Sequence, residues 1–388
     1  MGVMELPVAQ GLLDGEALIN AVRAVAEGPL AEQAEAIDRR GHYPEGVLRE
    51  LGRMGALMAH HQDRIVPGWE PDMGLAIRAM GEVSRVCGAT GFMTWCHMVC
   101  GVYMEQSGNA ALHGEVLRAH GLAQTLGATG MSNPMKSYSG IEGFLLKARP
   151  TGAGGYRVSG TLPWVSNLGD DHYFGVVAPV VDDSGAALDP PREIMFLVPC
   201  DAPGVERRTC PTFSAMEGTN TWAVRLSDHE VTPQRLIADP SRPFIARIRG
   251  AFILLQCGMA LGVVQGAIDS MWAVEPQLGH VNQHLEDRPD DLQHELDGLR
   301  ERVLRLAKTP YASDKEHLIE VLDVRAHGSE LALRAAQSAL LHAGARGYLM
   351  SSAVQRRVRE SHFVAIVTPA LKHLRREIAR LSEPVLPA

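Results

Sequence analysis

Residues 250–268 constrain the fold of this chain more than any other stretch, because nineteen consecutive residues carry no charged side chain. A helix needs about 20 apolar residues to cross a bilayer, so length alone would allow a membrane span. The stretch also contains four glycines and two glutamines, however, and small residues let neighbouring helices pack closely. We therefore predict a helix buried in a bundle, without membrane contact. Pro276 should break this helix, and the charge-dense residues 276–308 should form a loop and an exposed helix.

The spacing of apolar residues changes twice along the chain. Up to residue 120 they recur every three or four residues, as on one face of a helix. From residue 121 to 240 they alternate with polar residues, and Gly and Pro are frequent, which is typical of antiparallel β-structure. The sequence thus predicts an α+β protein with an N-terminal α-helical domain (1–120), a middle antiparallel β domain (121–240) and a C-terminal four-helix-bundle domain (241–388).

Composition and charge indicate which kinds of partner the protein is expected to bind. The composition is ordinary for a soluble protein, with 46% hydrophobic and 21% charged residues. The net charge is −8 and no Lys/Arg-rich run is interleaved with aromatic residues, so nucleic acid is not an expected partner. Residues 1–7 lack the pattern of a secretory signal, and we expect a cytoplasmic location.

The six cysteines show no paired short spacing, which fits reduced, buried thiols. Cys96, His97 and Cys100 could share one helix face around a metal ion. A core helix explains their uncharged surroundings better, and we predict no metal site.

Residues 155–167 carry a functional pattern. Tyr156 and Val158 alternate with polar neighbours, and Trp164 and Ser166 fall on one face of a second extended segment. An indole can pack against a planar ring while a hydroxyl two residues away forms a hydrogen bond to its edge. A β-hairpin with a core tryptophan would show the same alternation.

The same residues resemble the mid-chain signature of the acyl-CoA dehydrogenase superfamily, in which a glycine-bounded strand leads into Trp-Ile-Thr/Ser-Asn. Residues 38–57 are similar to the superfamily's second helix, residues 127–134 to its strand ending in Thr-Glu-Pro, and residues 344–348 to its Gly-Gly-x-Gly-Tyr motif. The resemblance covers nearly the whole chain. It implies the acyl-CoA dehydrogenase-like fold, a bound flavin (FAD, or FMN in its place) and assembly as a homodimer or homotetramer.

The resemblance also implies roles for individual residues. Trp164 and Ser166 would touch the flavin ring, and Ser132 and Asn133 replace the family's Thr and Glu, so the hydroxyl is kept and the charge is lost. Ser137 or Ser139 would reach the cofactor diphosphate. The residues implied to bind the flavin are Met131, Ser132, Asn133, Ser137, Trp164, Val165, Ser166, Gly344 and Gly347.

A family dehydrogenase needs a carboxylate that removes the α-proton of an acyl thioester. Counting from Arg359 and Glu360 places the usual Glu-Gly-Thr at residues 368–370, so Thr368 occupies the position of the base. The less common placement, near Phe252, has no carboxylate either. The letters Glu-Gly-Thr at residues 217–219 repeat the motif in the β domain, where we set them aside.

Three functions remain open. The first is a flavin-dependent oxidoreductase acting on an acyl thioester of CoA or a carrier protein, or on a related small substrate, with an electron-transfer partner. The second is a reduced-flavin-dependent monooxygenase of the same fold, served by a flavin reductase, which needs no carboxylate base. The third is a non-catalytic subunit of a heteromeric acyl-CoA dehydrogenase.

Four residues are candidates for catalysis. Thr368 stands at the vacated position of the base, and Ser166 is placed to donate a hydrogen bond near flavin N5. His97 lies on an almost uncharged helix, where it is either a hydrogen-bonded core residue or a group that handles a proton in the cavity. His362 is a further candidate for that proton.

Overall fold

The computed structural model describes residues 13, 15–61 and 70–383. The first helices are α1 (Gly15–Val25), α2 (Ala31–Arg40), α3 (Glu45–Arg53), α4 (Met73–Val86), α5 (Gly88–Gln106) and α6 (Glu115–Gly121). Strand β1 (Gly127–Thr129) and helix α7 (Ser132–Tyr138) precede strands β2 (Leu146–Pro150), β3 (Tyr156–Val165), β4 (Tyr173–Pro179), β5 (Glu193–Pro199), β6 (Val205–Thr209), β7 (Trp222–Val231) and β8 (Leu236–Ala238). The last helices are α8 (Ser241–Asn282), α9 (Pro289–Leu306), α10 (Lys315–Ala343), α11 (Ala353–Ile366) and α12 (Leu371–Ser382).

The uncharged stretch lies inside α8, and its burial is as expected for a core helix. Of the described helices, α8 alone has the length and composition to cross a membrane, but 94% of its most apolar window is buried inside the protein. Three glycines, at positions 258, 262 and 266, face the backbone of α4. A Cβ atom at Gly258 would lie 2.7 Å from the carbonyl oxygen of Ile77, so any larger residue would push the two helices apart.

Pro276 does not end α8, and the predicted break there was wrong. The helix continues through Pro276 to Asn282, and the charge-dense region therefore begins as helix. A proline inside a helix removes one backbone donor and leaves the carbonyl four residues earlier without its partner. That carbonyl belongs to Trp272, which is exposed like Pro276, so water can satisfy it.

The described strands form two four-stranded sheets, in the orders β1-β4-β5-β8 and β2-β3-β7-β6. The pairings are antiparallel apart from β1 with β4, which is parallel. The sheets enclose a separate apolar core that includes Leu146, Val158, Phe174 and Phe196. The predicted α+β class, with helices, a mainly antiparallel β region and then helices, is confirmed.

In the C-terminal part, α8 packs against α9, α10 and α11, and α12 packs against α10. Helix α8 also packs against α4 and α5 of the N-terminal part. The domain boundaries at residues 120 and 240 stay predictions.

Two stacked histidines join α5 to the first strand. The rings of His97 and His120 lie parallel, with centroids 3.8 Å apart. Each Nε2 donates to the other residue's backbone oxygen, at 3.0 Å and 2.9 Å. Nδ1 of His97 accepts from the backbone N–H of Gly127 at 3.1 Å, and Nδ1 of His120 accepts from the hydroxyl of Tyr173 at 2.8 Å. Both imidazoles are therefore neutral and have no nitrogen left for another partner.

Burial lowers the pKa of these and neighbouring rings. The pKa of His120 falls to about 3, and that of His60 also falls to about 3, in each case chiefly because the ring is removed from water. The pKa of His97 lies well below its ordinary value of 6.5 for the same reason. These histidines bind a proton on unfolding whenever the pH is below 6.5.

Acidification from pH 7 to pH 5 should therefore lower the free energy of unfolding. The stabilisation from His60 and His120 is complete above the unfolded pKa of 6.5 and is lost progressively as the pH falls towards the folded pKa of about 3. Linkage gives a loss of ~2 kcal/mol per histidine by pH 5. Urea unfolding followed by circular dichroism measures the total loss, and His60→Gln should remove ~2 kcal/mol of it, the share of one of these three histidines. Equal unfolding free energies at pH 7 and pH 5 would contradict buried, neutral imidazoles.

Candidate active site

A cavity of about 440 Å³ lies where the ends of β1 and β3 meet helices α5, α8 and α11. Its volume is within the range of small-molecule sites. The cavity is lined by hydroxyl-bearing side chains and by three basic residues, Lys136, Arg359 and His362. None of the described residues that line it is Asp or Glu. Its aromatic lining residues are Phe92, Trp95, Trp164, Phe213, Phe252 and Phe363.

Four of these aromatic rings form a connected wall. Phe92 packs edge-on against Phe363 with centroids 4.6 Å apart, and Trp95 packs edge-on against Phe252 at 5.1 Å. The indole N–H of Trp95 donates to the backbone oxygen of Phe252 at 3.3 Å. The wall joins α5, α8 and α11 and gives the cavity an apolar, rigid side.

The end of β3 places Trp164 and Ser166 in the cavity, as period-two geometry predicts. Trp164 is 50% exposed, which is unusual for so large an apolar side chain and leaves its ring open to a ligand. Val165, between them, packs into the core of the sheets. Any contact of Val165 with a ligand would have to come from its backbone.

The segment 213–221 forms another wall, although the sequence analysis set its Glu-Gly-Thr letters aside. Thr219 and Thr221 line the cavity, whereas Glu217 does not. Met216 and Asn220 adopt left-handed backbone angles, with φ of 70° and 48°, which fold the segment back on itself. A sequence signal that could have found this wall is the alternation of Thr219 and Thr221 just before β7.

A line of three hydroxyls runs from the cavity into this segment. Ser166 Oγ lies 2.7 Å from Thr221 Oγ1, which lies 2.7 Å from Thr219 Oγ1. Thr219 Oγ1 then donates to the backbone oxygen of Met216, also at 2.7 Å. We call Ser166, Thr221 and Thr219 the hydroxyl relay.

Thr368 lies on the cavity wall, following α11. Its hydroxyl is 3.2 Å from that of Ser132, and its backbone oxygen accepts a hydrogen bond from Gln256 at 2.9 Å. Met131 lines the cavity beside Ser132, and His362 faces it from α11. The structure thus brings together Met131, Ser132, Trp164, Ser166, His362 and Thr368 of the predicted residues.

The other predicted residues lie elsewhere. His97 does not line the cavity, and its two ring nitrogens are bonded within the core, so the proposed proton-handling role is wrong for it. Asn133 fastens the following loop, accepting from the N–H of Leu145 at 3.0 Å. Gly344 and Gly347 lie just after α10, away from the cavity of their own chain.

Ser137 lies on α7 and is also absent from the cavity lining. Its hydroxyl is buried and has no hydrogen-bond partner within the described part of the chain. An unsatisfied buried hydroxyl is costly, so a ligand or water is expected to complete it.

A buried arginine supports the Thr368 wall. Arg325 is fully buried on α10, and burial lowers its pKa to about 10. Nε donates to the side-chain oxygen of Gln256 at 3.0 Å, and Nη2 donates to the backbone oxygen of Val364 at 2.7 Å. Because Gln256 in turn donates to Thr368, the guanidinium ties α10, α8 and the end of α11 together. One arginine in a periodic helix gave no sequence signal.

Comparison with known families agrees with this architecture. Residues 14–120 match the family model described as "Acyl-CoA dehydrogenase, N-terminal domain". A probable acyl-CoA dehydrogenase of Bacillus subtilis (strain 168), YngJ, is 24% identical over 364 aligned residues, and the match covers 89% of this chain and 91% of that protein. A dibenzothiophene monooxygenase of Rhodococcus erythropolis is 25% identical over 278 residues, 68% of this chain and 64% of that protein.

Solved structures share the whole arrangement. Butyryl-CoA dehydrogenase from Megasphaera elsdenii superposes with a TM-score of 0.82 and 17% identity, covering 96% of this chain and 99% of that chain. FMN-bound TdsC from Paenibacillus sp. A11-2 superposes with a TM-score of 0.78 and 15% identity, covering 94% and 96%. The helices, sheets and helices therefore form the acyl-CoA dehydrogenase fold. The resemblance to the acyl-CoA dehydrogenase superfamily is confirmed.

Gln256→Leu should destabilise the protein by ~2–4 kcal/mol, because it leaves the buried Arg325 Nε and the part-buried Thr368 carbonyl without this partner. Gln265→Leu on the same helix is the control. Gln265 is only part-buried, and its loss should cost less than about 1 kcal/mol. Urea unfolding measures both. Equal losses for the two variants would show that the arginine network does not support the Thr368 wall.

Proposed function

We propose that this chain is a flavin-dependent oxidoreductase that uses reduced flavin and dioxygen to oxygenate a small apolar substrate in the cavity. The observation that carries the proposal is the lining of the cavity. It combines an aromatic wall, a half-exposed indole beside a hydroxyl, and no carboxylate among its described residues. Oxygenation by reduced flavin does not require the carboxylate base that thioester dehydrogenation requires.

The groups present argue against an acyl-thioester base. The hydroxyl of Thr368 pairs with that of Ser132 and is far too weak a base to remove an α-proton. Arg359 is held by Asp38 in a two-bond ion pair, at 2.7 Å and 2.6 Å, and stays cationic. His362 is left as the lining side chain whose ring has one nitrogen that donates and one that accepts.

The residues present fit a flavin. The exposed face of Trp164 can pack against the ring, while Ser132 and Ser166 offer hydroxyls to its polar edge. The unsatisfied hydroxyl of Ser137 and the ammonium of Lys136 suit the phosphate-bearing tail of FMN or FAD. When bound and reduced, the flavin supplies two electrons, so that one atom of dioxygen enters the substrate and the other leaves as water.

The side chains of the protein bind the substrate and exclude water from the cavity. The wall of Phe92, Trp95, Phe252 and Phe363 binds the apolar substrate and keeps water out of the cavity. His362, at the rim on α11, moves the proton that the reaction consumes or releases.

Assembly and partners belong to the same proposal. Tyr348, Leu349 and Met350 are 73%, 60% and 48% exposed, directly beside Gly344 and Gly347. A second copy covering this apolar surface would bring the two glycines towards a neighbour's flavin, and we place the protein in the cytoplasm as a homodimer or homotetramer. A flavin reductase would supply the reduced flavin.

Dehydrogenation of an acyl thioester is the second candidate. The match to the Bacillus subtilis protein over 91% of its length favours it. It would need a base that the described lining does not contain.

The test supplies the protein with FMN or FAD, a flavin reductase, NAD(P)H and ¹⁸O₂ together with small aromatic sulfides, indoles and amines. We expect flavin fluorescence to change on binding and one ¹⁸O atom to appear in a product by mass spectrometry. Straight-chain acyl-CoAs should bleach the bound flavin slowly under anaerobic conditions. Rapid bleaching without any labelled product would replace the oxygenase by the dehydrogenase.

His362→Gln should lower the yield of oxygenated product about 10²-fold if the imidazole handles the proton. His280→Gln is the matched control, since His280 is exposed near the end of α8 and lies outside the cavity lining. Steady-state product formation measures the effect, with flavin binding as the check on folding. A yield that responds equally to both changes would remove His362 from the mechanism.

A further inference from the structure

We propose that the hydroxyl relay makes the cavity select reduced flavin over oxidised flavin. The inference rests on the proposed function and concerns the form in which the flavin is bound and released. It follows from the direction in which the three hydroxyl protons must point.

The direction is set at the buried end of the relay. The backbone oxygen of Met216 can only accept, so the 2.7 Å contact with Thr219 Oγ1 uses the single hydroxyl proton of Thr219. Thr221 must then donate to Thr219 across their 2.7 Å contact. Ser166 must in turn donate to Thr221 across theirs. Each hydroxyl has one proton, and all three protons point along the relay from Ser166 towards Met216.

Reversing the relay is unfavourable. Ser166 could donate into the cavity only if Thr221 turned towards Ser166 and Thr219 turned towards Thr221. Thr219 is 2% exposed, and the reversal would remove the 2.7 Å bond from its hydroxyl to the backbone oxygen of Met216. That oxygen would keep only the longer bond from the backbone N–H of Thr219, at 3.1 Å. One buried hydrogen bond shifts the equilibrium between the two directions of the relay by roughly fivefold.

Ser166 consequently presents lone pairs to the cavity. The sequence analysis expected Ser166 to donate, and the relay reverses that expectation. A ligand atom facing Ser166 must therefore carry a hydrogen. Reduced flavin carries one on N5, whereas N5 of oxidised flavin has only a lone pair, which an acceptor repels.

The relay thus ties binding to the redox state of the flavin. With the N5 edge at Ser166, the orientation implied by the superfamily resemblance, the cavity takes up reduced flavin and releases it once oxidised. This behaviour suits a protein that receives its flavin already reduced by a separate reductase. A preference for reduced flavin would be unfavourable in a dehydrogenase, because a dehydrogenase must keep oxidised flavin bound until its substrate reduces it.

The test compares the dissociation constants of oxidised and anaerobically reduced FMN, and then of FAD, by titration of the wild-type protein and relay variants. For the wild type we expect reduced flavin to bind at least about fivefold more tightly. Thr219→Val removes the acceptor for Thr221, frees Ser166 to donate, and should reduce the preference by about fivefold. Thr219→Ser keeps a hydroxyl at the same place and should retain the preference.

The midpoint potential of the bound flavin gives an independent reading. A fivefold loss of preference corresponds to a shift of about 20 mV to more negative potential for a two-electron couple. Thr221→Val interrupts the relay one step closer to the cavity, so it gives the same test if Thr219→Val does not fold.

The outcomes separate the two proposals. Failure of the wild type to bind either form of FMN or FAD would overturn the proposed function. Binding with the same oxidised-to-reduced ratio in wild type, Thr219→Val and Thr221→Val would overturn the relay inference and leave the proposed function standing. Equal loss of preference in Thr219→Ser and Thr219→Val would also overturn it, because the hydroxyl would then not be the cause.

Discussion

The close approach of α4 and α8 is the constraint on which the rest of the structure depends. Gly258, Gly262 and Gly266 on α8 face backbone atoms of α4, and a side chain at any of them would collide with that backbone. Interiors are packed too densely to absorb such a collision without moving whole helices. The contact fixes α8 between the N-terminal and C-terminal helices. Phe252 and Gln256, on the same helix, are thereby held at the cavity and beneath the Thr368 wall.

Features determined by local spacing were predictable from sequence. The absence of charge over residues 250–268 indicated either a membrane span or a buried helix. The glycines in this stretch favoured a helix packed closely against its neighbours, and the helix is indeed buried inside the protein. Alternation indicated the sheets and put Trp164 and Ser166 on one face, which the cavity lining agrees with. Thr368 was found by counting along α11 from Arg359, since a helix preserves register.

Features determined by distant contacts were not predictable. Arg325 and Gln256 are 69 residues apart and meet only when α8 and α10 pack. The segment 213–221 reaches the cavity because Met216 and Asn220 adopt left-handed backbone angles, which could not be predicted from the sequence. The sequence left His97 open between a hydrogen-bonded core residue and a cavity group, because a buried polar residue needs a partner, and that partner proved to be His120. Pro276 was misjudged because an exposed carbonyl can tolerate a missing donor.

The polar groups of the cavity determine which chemistry it can support. Hydroxyls, an imidazole and two cations surround an apolar space, and the described lining offers no carboxylate to remove a proton from carbon. The same fold holds both a butyryl-CoA dehydrogenase and an FMN-bound TdsC, so the fold alone does not choose between the chemistries. The choice rests on side chains, and those present favour binding a ring and excluding water over abstracting an α-proton.

The central claim is that this cavity is a flavin site. A crystal structure of the protein grown anaerobically with reduced FMN tests it most directly. The account predicts electron density for the flavin ring inside the cavity, packed on Trp164 and within hydrogen-bond distance of Ser166. Density for the flavin elsewhere on the protein, with the cavity filled only by solvent or by other side chains, would contradict it.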